Sequence, residues 1–237
     1  MTEGAKLEVR IDSSAMSISS SVTSRPHQGQ PVVTAGASLE NAQAAMVMVH
    51  GRGATAESIL TLVPALDAGG FAFLAPQASG NTWYPNSFLA PIPSNEPGIS
   101  SGLAAIEDVI ARIEDAGIPR PRIMLLGFSQ GACLSLEFAA RHATRYGGIA
   151  CLSGGLIGPD GTPRDYTGSF HGTAAFLGCS DIDSHIPAAR VSESAAVLKR
   201  LGANVTMKLY PGMGHLVNED EIAAVSAMMQ EVVGSTA

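Results

Sequence analysis

Cysteine, positive charge and long apolar runs are all scarce in this chain, and each scarcity removes a class of protein. Three cysteines in 237 residues are an odd number, and Cys133, Cys151 and Cys179 sit in apolar contexts without metal-ligand spacing. That pattern fits buried reduced thiols better than a disulfide framework. There is no His-Glu-x-x-His and no paired Cys-x-x-Cys, so a zinc site is not expected. Lysine and arginine number 14 against 21 acidic residues, a net charge of -7. No basic run offsets that balance, which argues against a nucleic-acid surface and against strongly anionic polymers as substrates. No apolar segment reaches the roughly 18 residues of a membrane span, and Met1-Thr2-Glu3-Gly4-Ala5-Lys6 lacks a hydrophobic signal core. A cytoplasmic protein is expected.

With 46% hydrophobic residues the chain can bury a sizeable core, and α/β sheets of this length commonly form one domain. Residues 1–24 are serine-rich without a sustained period and read as a flexible tail, with Met16 as an alternative start; residues 25–237 read as a single domain. Strands are expected over residues 31–36, 45–50, 71–75, 122–127, 146–152, 173–178 and 204–210. Helices are expected over 57–67, 100–116, 130–142, 188–201 and 219–233. This alternation implies a mostly parallel sheet covered by helices on both faces.

One join in that pattern carries chemistry. The apolar run Arg122-Ile123-Met124-Leu125-Leu126 leads into Gly127-Phe128-Ser129-Gln130-Gly131, and a helix leads out. Gly-x-Ser-x-Gly on a strand-to-helix turn holds its serine in a strained conformation and thrusts the hydroxyl out of the sheet; only small flanking residues avoid a clash. Ser129 is the expected nucleophile. A serine hydroxyl needs a base, a carboxylate to orient that base, and donors for the oxyanion. On such a fold the order is serine, acid, histidine.

Four histidines follow Ser129: His142, His171, His185 and His215. His215 is the best placed, at the end of the loop Pro211-Gly212-Met213-Gly214 after a strand. Asp181 and Asp183 both lie just past the strand at 173–178, and spacing alone does not separate them. One carboxylate is expected to act as the acid and the other to accept loop N–H groups or cap a helix. His185 is close enough to both that it reads as lining or bracing the loop. Upstream, a strand ends in His50-Gly51-Arg52-Gly53. This loop can present the N–H of Arg52 opposite that of Gln130 as an oxyanion hole, with His50 fixing the loop. The Gly-x-Gly lacks the third glycine of a dinucleotide fingerprint and the Lys-Ser/Thr of a P-loop, which disfavours nucleotide binding.

Residues 77–98 break the alternation. This proline-rich stretch carries the only tryptophan and is too long for an idle connection. Trp83, Tyr84, Phe88 and Leu89 are expected to wall an apolar substrate pocket; the competing reading is a surface loop whose aromatics pack on the sheet. No insertion is long enough for a large separate lid.

Taken together, His50-Gly51-Arg52-Gly53, Gly127-Phe128-Ser129-Gln130-Gly131, Asp183-Ser184-His185-Ile186-Pro187 and Gly212-Met213-Gly214-His215 resemble the phospholipase/carboxylesterase family of α/β-hydrolases, which includes the acyl-protein thioesterases. The resemblance runs from about Pro26 to the end of the last helix. It implies an α/β-hydrolase fold and a serine hydrolase of carboxylic esters, thioesters or lysophospholipids that needs no cofactor and acts on small-molecule substrates. The family's acid usually begins an Asp-Pro-x-Val-Pro-like run, which favours Asp183 over Asp181; serine here replaces the expected proline. A homodimer is compatible with the sequence. Two rivals stand beside this reading: a non-catalytic binding protein on the same fold, and an amidase, perhydrolase or lactone hydrolase using the same elbow.

Overall fold

The central strands are apolar at every position, and a strand of that kind is stable only where both of its faces are covered. In the computed structural model, which describes residues 10–12, 25–66 and 69–234, that is their setting. The strands are β1 (Arg10–Asp12), β2 (Val32–Gly36), β3 (Ala44–Val49), β4 (Phe71–Pro76), β5 (Ile123–Phe128), β6 (Gly148–Leu152), β7 (Ala174–Ser180) and β8 (Asn204–Tyr210). They form one sheet in the order β1-β2-β4-β3-β5-β6-β7-β8. The pairs from β4 to β8 are parallel, and β2 joins β4 antiparallel. Alternate residues of β3 serve different cores: Ala45, Val47 and Val49 pack on one face, Ala44, Met46 and Met48 on the other.

Helices α2 (Gly98–Asp115), α3 (Gln130–Arg141) and α4 (Ala188–Arg200) supply the first core, while α1 (Ala56–Leu60) and α5 (Glu219–Gly234) supply the second. The chain therefore leaves β3 toward one face and β5 toward the other. Neighbouring parallel strands whose connections diverge in this way leave a crevice at their carboxyl ends, and Arg52 and Ser129 stand on its two sides. Among the described residues no helix is long and apolar enough to cross a membrane.

Two expectations are corrected. Within the stretch read as a tail, Arg10–Asp12 pairs antiparallel with β2, whose outer edge offers unpaired N–H and C=O groups to a further strand; residues 1–9 and 13–24 lie outside the described residues. The helix expected over 57–67 is α1 followed by a 3-10 turn at Val63–Ala65. Pro64 has no N–H to donate and its ring disfavours the preceding helical turn. Asp67 lies outside the described residues.

Candidate active site

The elbow follows from close packing. A Cβ on Gly127 would strike the backbone of Gly131 and Ala132, and one on Gly131 would strike the Val49 carbonyl at the end of β3. With no side chain at either position, α3 can start hard against the sheet. Ser129 takes φ 56 and ψ -121, a region costly for any residue with a Cβ. Its N–H is tied to the Leu152 carbonyl of β6 at 3.0 Å, so the hydroxyl is presented above the sheet from a fixed base.

Two loops bring the histidine and the carboxylate to it. His215 Nε2 lies 2.8 Å from Ser129 Oγ, and His215 Nδ1 lies 2.7 Å from Asp183 Oδ2. With Nδ1–H donating to the carboxylate, Nε2 is free to accept the serine proton. The Asp183 side chain is fully buried. Burial alone would push its carboxyl up, but hydrogen bonds from His215 and from the N–H groups of His185 and Ile186 hold it below the ordinary carboxylate value. The Cys179 thiol also reaches Asp183 Oδ2 at 3.7 Å. Asp181 faces elsewhere: its Oδ1 accepts the Gly212 N–H at 2.8 Å, while Ser180 Oγ accepts that of Gly214 at 3.1 Å. These two bonds clamp the loop that carries His215. The His185 ring meets that of His215 edge-on, with centroids 4.8 Å apart. His142 ends α3 and stacks on Phe138, while the backbone carbonyl of His171 accepts from Arg145.

Beside the elbow serine, Gln130 is the first residue of α3, where an N–H has no intrahelical acceptor. The N–H of Gly53 is taken by the Asn81 carbonyl and that of Ala54 by the Gly51 carbonyl. Arg52 holds the long 77–98 segment with its guanidinium, which donates to the Pro85 carbonyl at 2.9 Å and lies over the Tyr84 ring. The fully buried His50 donates from Nδ1 to the Gly51 carbonyl at 2.8 Å and accepts the Ala78 N–H on Nε2 at 3.1 Å.

A cleft of about 430 Å³ opens over Ser129 and His215, lined also by Arg52, Tyr84, Phe88 and Ile186. Two of the four residues expected in its wall are not there. Trp83 is fully buried beneath the loop with its Nε1–H donating to the His50 carbonyl, and Leu89 packs half-buried against the core. The indole turns inward because its one donor finds a buried acceptor there. Sequence reasoning also missed two side chains. Gln130, read only for its backbone, accepts the Trp83 N–H on Oε1 at 2.9 Å and donates from Nε2 to the Tyr84 carbonyl at 2.8 Å. His27, nearly fully buried, donates from Nε2 to the Trp83 carbonyl; no local motif marks it. All three cysteines are buried: Cys133 under the elbow, Cys151 on β6 and Cys179 on β7.

A serine hydroxyl bonded to an imidazole that is bonded to a buried carboxylate can carry out acyl transfer through a covalent intermediate. Comparison with known proteins points the same way. The family model described as Phospholipase/Carboxylesterase matches residues 29–233. A phospholipase/carboxylesterase from Dyadobacter fermentans is 43% identical in sequence, covers 84% of this chain and 95% of its own, and superposes with a TM-score of 0.81. Acyl-protein thioesterase 1 of Gibberella zeae is 34% identical over 137 residues, 56% of this chain and 58% of that protein. The match therefore spans less than two thirds of that curated relative. Acyl-protein thioesterase 1 of Debaryomyces hansenii is 25% identical over 86% of this chain and 97% of its own length.

Proposed function

The chain belongs to the phospholipase/carboxylesterase family, and on that premise we propose that it is a serine hydrolase of small carboxylic esters or thioesters, with residues 25–237 acting as one catalytic domain. The observation that carries this reading is the continuous path Ser129–His215–Asp183, at 2.8 and 2.7 Å, opening on the 430 Å³ cleft. A volume of that size is in the range of small-molecule sites.

His215 Nε2 takes the Ser129 proton as Oγ attacks the substrate carbonyl. Asp183 steadies the imidazolium that forms, and the N–H groups of Arg52 and Gln130 receive the oxyanion. The tetrahedral intermediate collapses when His215 returns the proton to the departing alcohol or thiol, leaving an acyl group on Ser129. Water, deprotonated by the same imidazole, then releases the acid and restores the serine. Every proton is exchanged within this set, so the cycle calls for no cofactor. Tyr84, Phe88 and Ile186 give the bound acyl or alcohol group an apolar wall. Three unpaired thiols suit a reducing compartment, which supports a cytoplasmic location.

The test is labelling with a fluorophosphonate, followed by a panel of aryl esters, lysophospholipids and acyl-thioesters. Phosphonylation at Ser129 with turnover of at least one class is expected. A folded protein that neither takes the label nor hydrolyses any of the three is a binding protein instead, and labelling without hydrolysis would point to an amidase, a perhydrolase or a lactone hydrolase.

A further inference from the structure

We infer that Trp83 is a positioning residue, holding the N–H groups of Arg52 and Gln130 in register with one another so that both can meet one oxygen. The inference rests on the hydrolase reading above. An oxyanion hole works only if its donors converge within about 2.7–3.1 Å of the same developing charge. Here the donors come from different elements: Arg52 follows β3, and Gln130 begins α3. The ladder between β3 and β5 ends at the pair Val49↔Gly127, short of both donors. Beyond that rung the two segments need another tie.

Trp83 supplies it with all three of its polar groups. Its indole Nε1–H donates to the His50 carbonyl at 2.9 Å, two residues before Arg52. Its backbone N–H donates to Gln130 Oε1 at 2.9 Å, on the residue that offers the other N–H. Its carbonyl accepts from His27 Nε2 at 2.8 Å. The same segment takes the Gly53 N–H on the Asn81 carbonyl at 2.7 Å. Nothing about this residue is free to drift: it is fully buried between the His27 and His50 rings, whose centroids are each 5.1 Å from it.

The helix α2 is cut to fit. A Cβ on Gly98 would lie 2.5 Å from the Trp83 carbonyl and one on Gly102 would lie 3.3 Å from the indole Cε3, so these glycines let the helix close over the residue. The flanking histidines are themselves fixed as neutral rings. His27 Nδ1 accepts the Ser79 N–H at 3.1 Å, and His50 Nε2 accepts the Ala78 N–H at 3.1 Å. Burial lowers the affinity of both rings for a second proton, so each keeps one donor and one acceptor.

The test uses Trp83→Phe, which keeps an aromatic ring and removes the Nε1–H, assayed well below its melting temperature on p-nitrophenyl acetate. Displacements of about an ångström can cost on the order of 100-fold in turnover, so a 10- to 100-fold fall in kcat is expected with KM within about twofold. The affinity of phenylboronic acid, whose adduct with the serine is tetrahedral and anionic, should fall by a similar factor. A variant that merely melts earlier, with kcat and boronate affinity unchanged, overturns the inference. If Trp83→Phe fails to fold, His27→Asn decides by the same two readings. The asparagine keeps an acceptor for Ser79 and loses the donor to the Trp83 carbonyl, and a fall of about 3-fold or more in both readings is expected. Active native protein with unaffected variants removes this inference alone, whereas native protein inactive on every ester removes it together with the hydrolase reading.

Discussion

Asp181 and Asp183 are two residues apart on one loop and bind different ends of another: Asp181 takes the Gly212 N–H at 2.8 Å, and Asp183 takes His215 Nδ1 at 2.7 Å. One carboxylate shapes the loop and the other addresses the ring it carries. Because both contacts converge on residues 211–215, either loss would disturb His215, but in different ways.

Asp183→Asn is expected to lower kcat on a short aryl ester by several orders of magnitude, because an amide does not stabilise an imidazolium and can favour the wrong tautomer. Asp181→Asn should cost much less, since an amide oxygen can still accept the Gly212 N–H. Both variants are checked for folding by circular dichroism; a larger loss in Asp181→Asn would transfer the role of acid.

Ser129→Ala and Ser129→Gly should each reduce turnover by about 10⁴-fold or more. They should differ in stability. At φ 56 and ψ -121 alanine retains the Cβ clash that glycine lacks, a strain of order 1–3 kcal/mol. The glycine variant is expected to melt several degrees above the alanine variant in calorimetry, and equal melting temperatures would count against strain at the elbow.

His215→Ala should be about as damaging as Ser129→Ala, because the two act as one unit and their losses do not add. His185→Ala removes an exposed ring that touches His215 only by its edge, and should cost no more than several-fold. Its backbone N–H to Asp183 survives the substitution. Measured kcat values in the opposite order would assign the base differently.

Glu221 makes stability depend on pH. Its carboxyl accepts the Asn218 N–H at the start of α5 while its Oε1 is buried without a partner, and burial pushes its pKa up to about 7 from 4.5. A folded pKa above the unfolded one means that stability is fully present below about pH 4.5 and is lost as pH rises through about 7. The cost above that range is on the order of 3 kcal/mol, taking about 1.4 kcal/mol per pKa unit. Glu221→Gln should therefore match the native protein at about pH 4 and exceed it at about pH 8 in urea unfolding; parallel curves would refute the assignment.

Much of this geometry could be read from the chain because it is written in short-range pattern. The Gly127-to-Gly131 run encodes its own close packing, and the loop before His215 follows directly on a strand. The Asp183 register came from likeness to a family, since spacing treats Asp181 and Asp183 alike. What escaped was decided by partners distant in sequence. Trp83 turns inward because the His50 carbonyl, 33 residues earlier, needs a donor, and His27 matters because it meets Trp83 from 56 residues away. Strand β1 escaped for the same reason: it borrows its order from the edge of β2.

The three buried cysteines give the folded molecule a chemical silence. Burial pushes the Cys133 and Cys179 thiols up to about 12 and the Cys151 thiol well above its ordinary value, so almost none of the reactive thiolate exists near neutral pH. In unfolded chains the same groups ionise near 8.5 and react readily. Uptake of an aromatic disulfide reagent therefore becomes a clock for opening of the sheet, and because Cys133 lies beneath Ser129 while Cys179 touches Asp183, the order in which the sites are modified would reveal which half of the crevice loosens first.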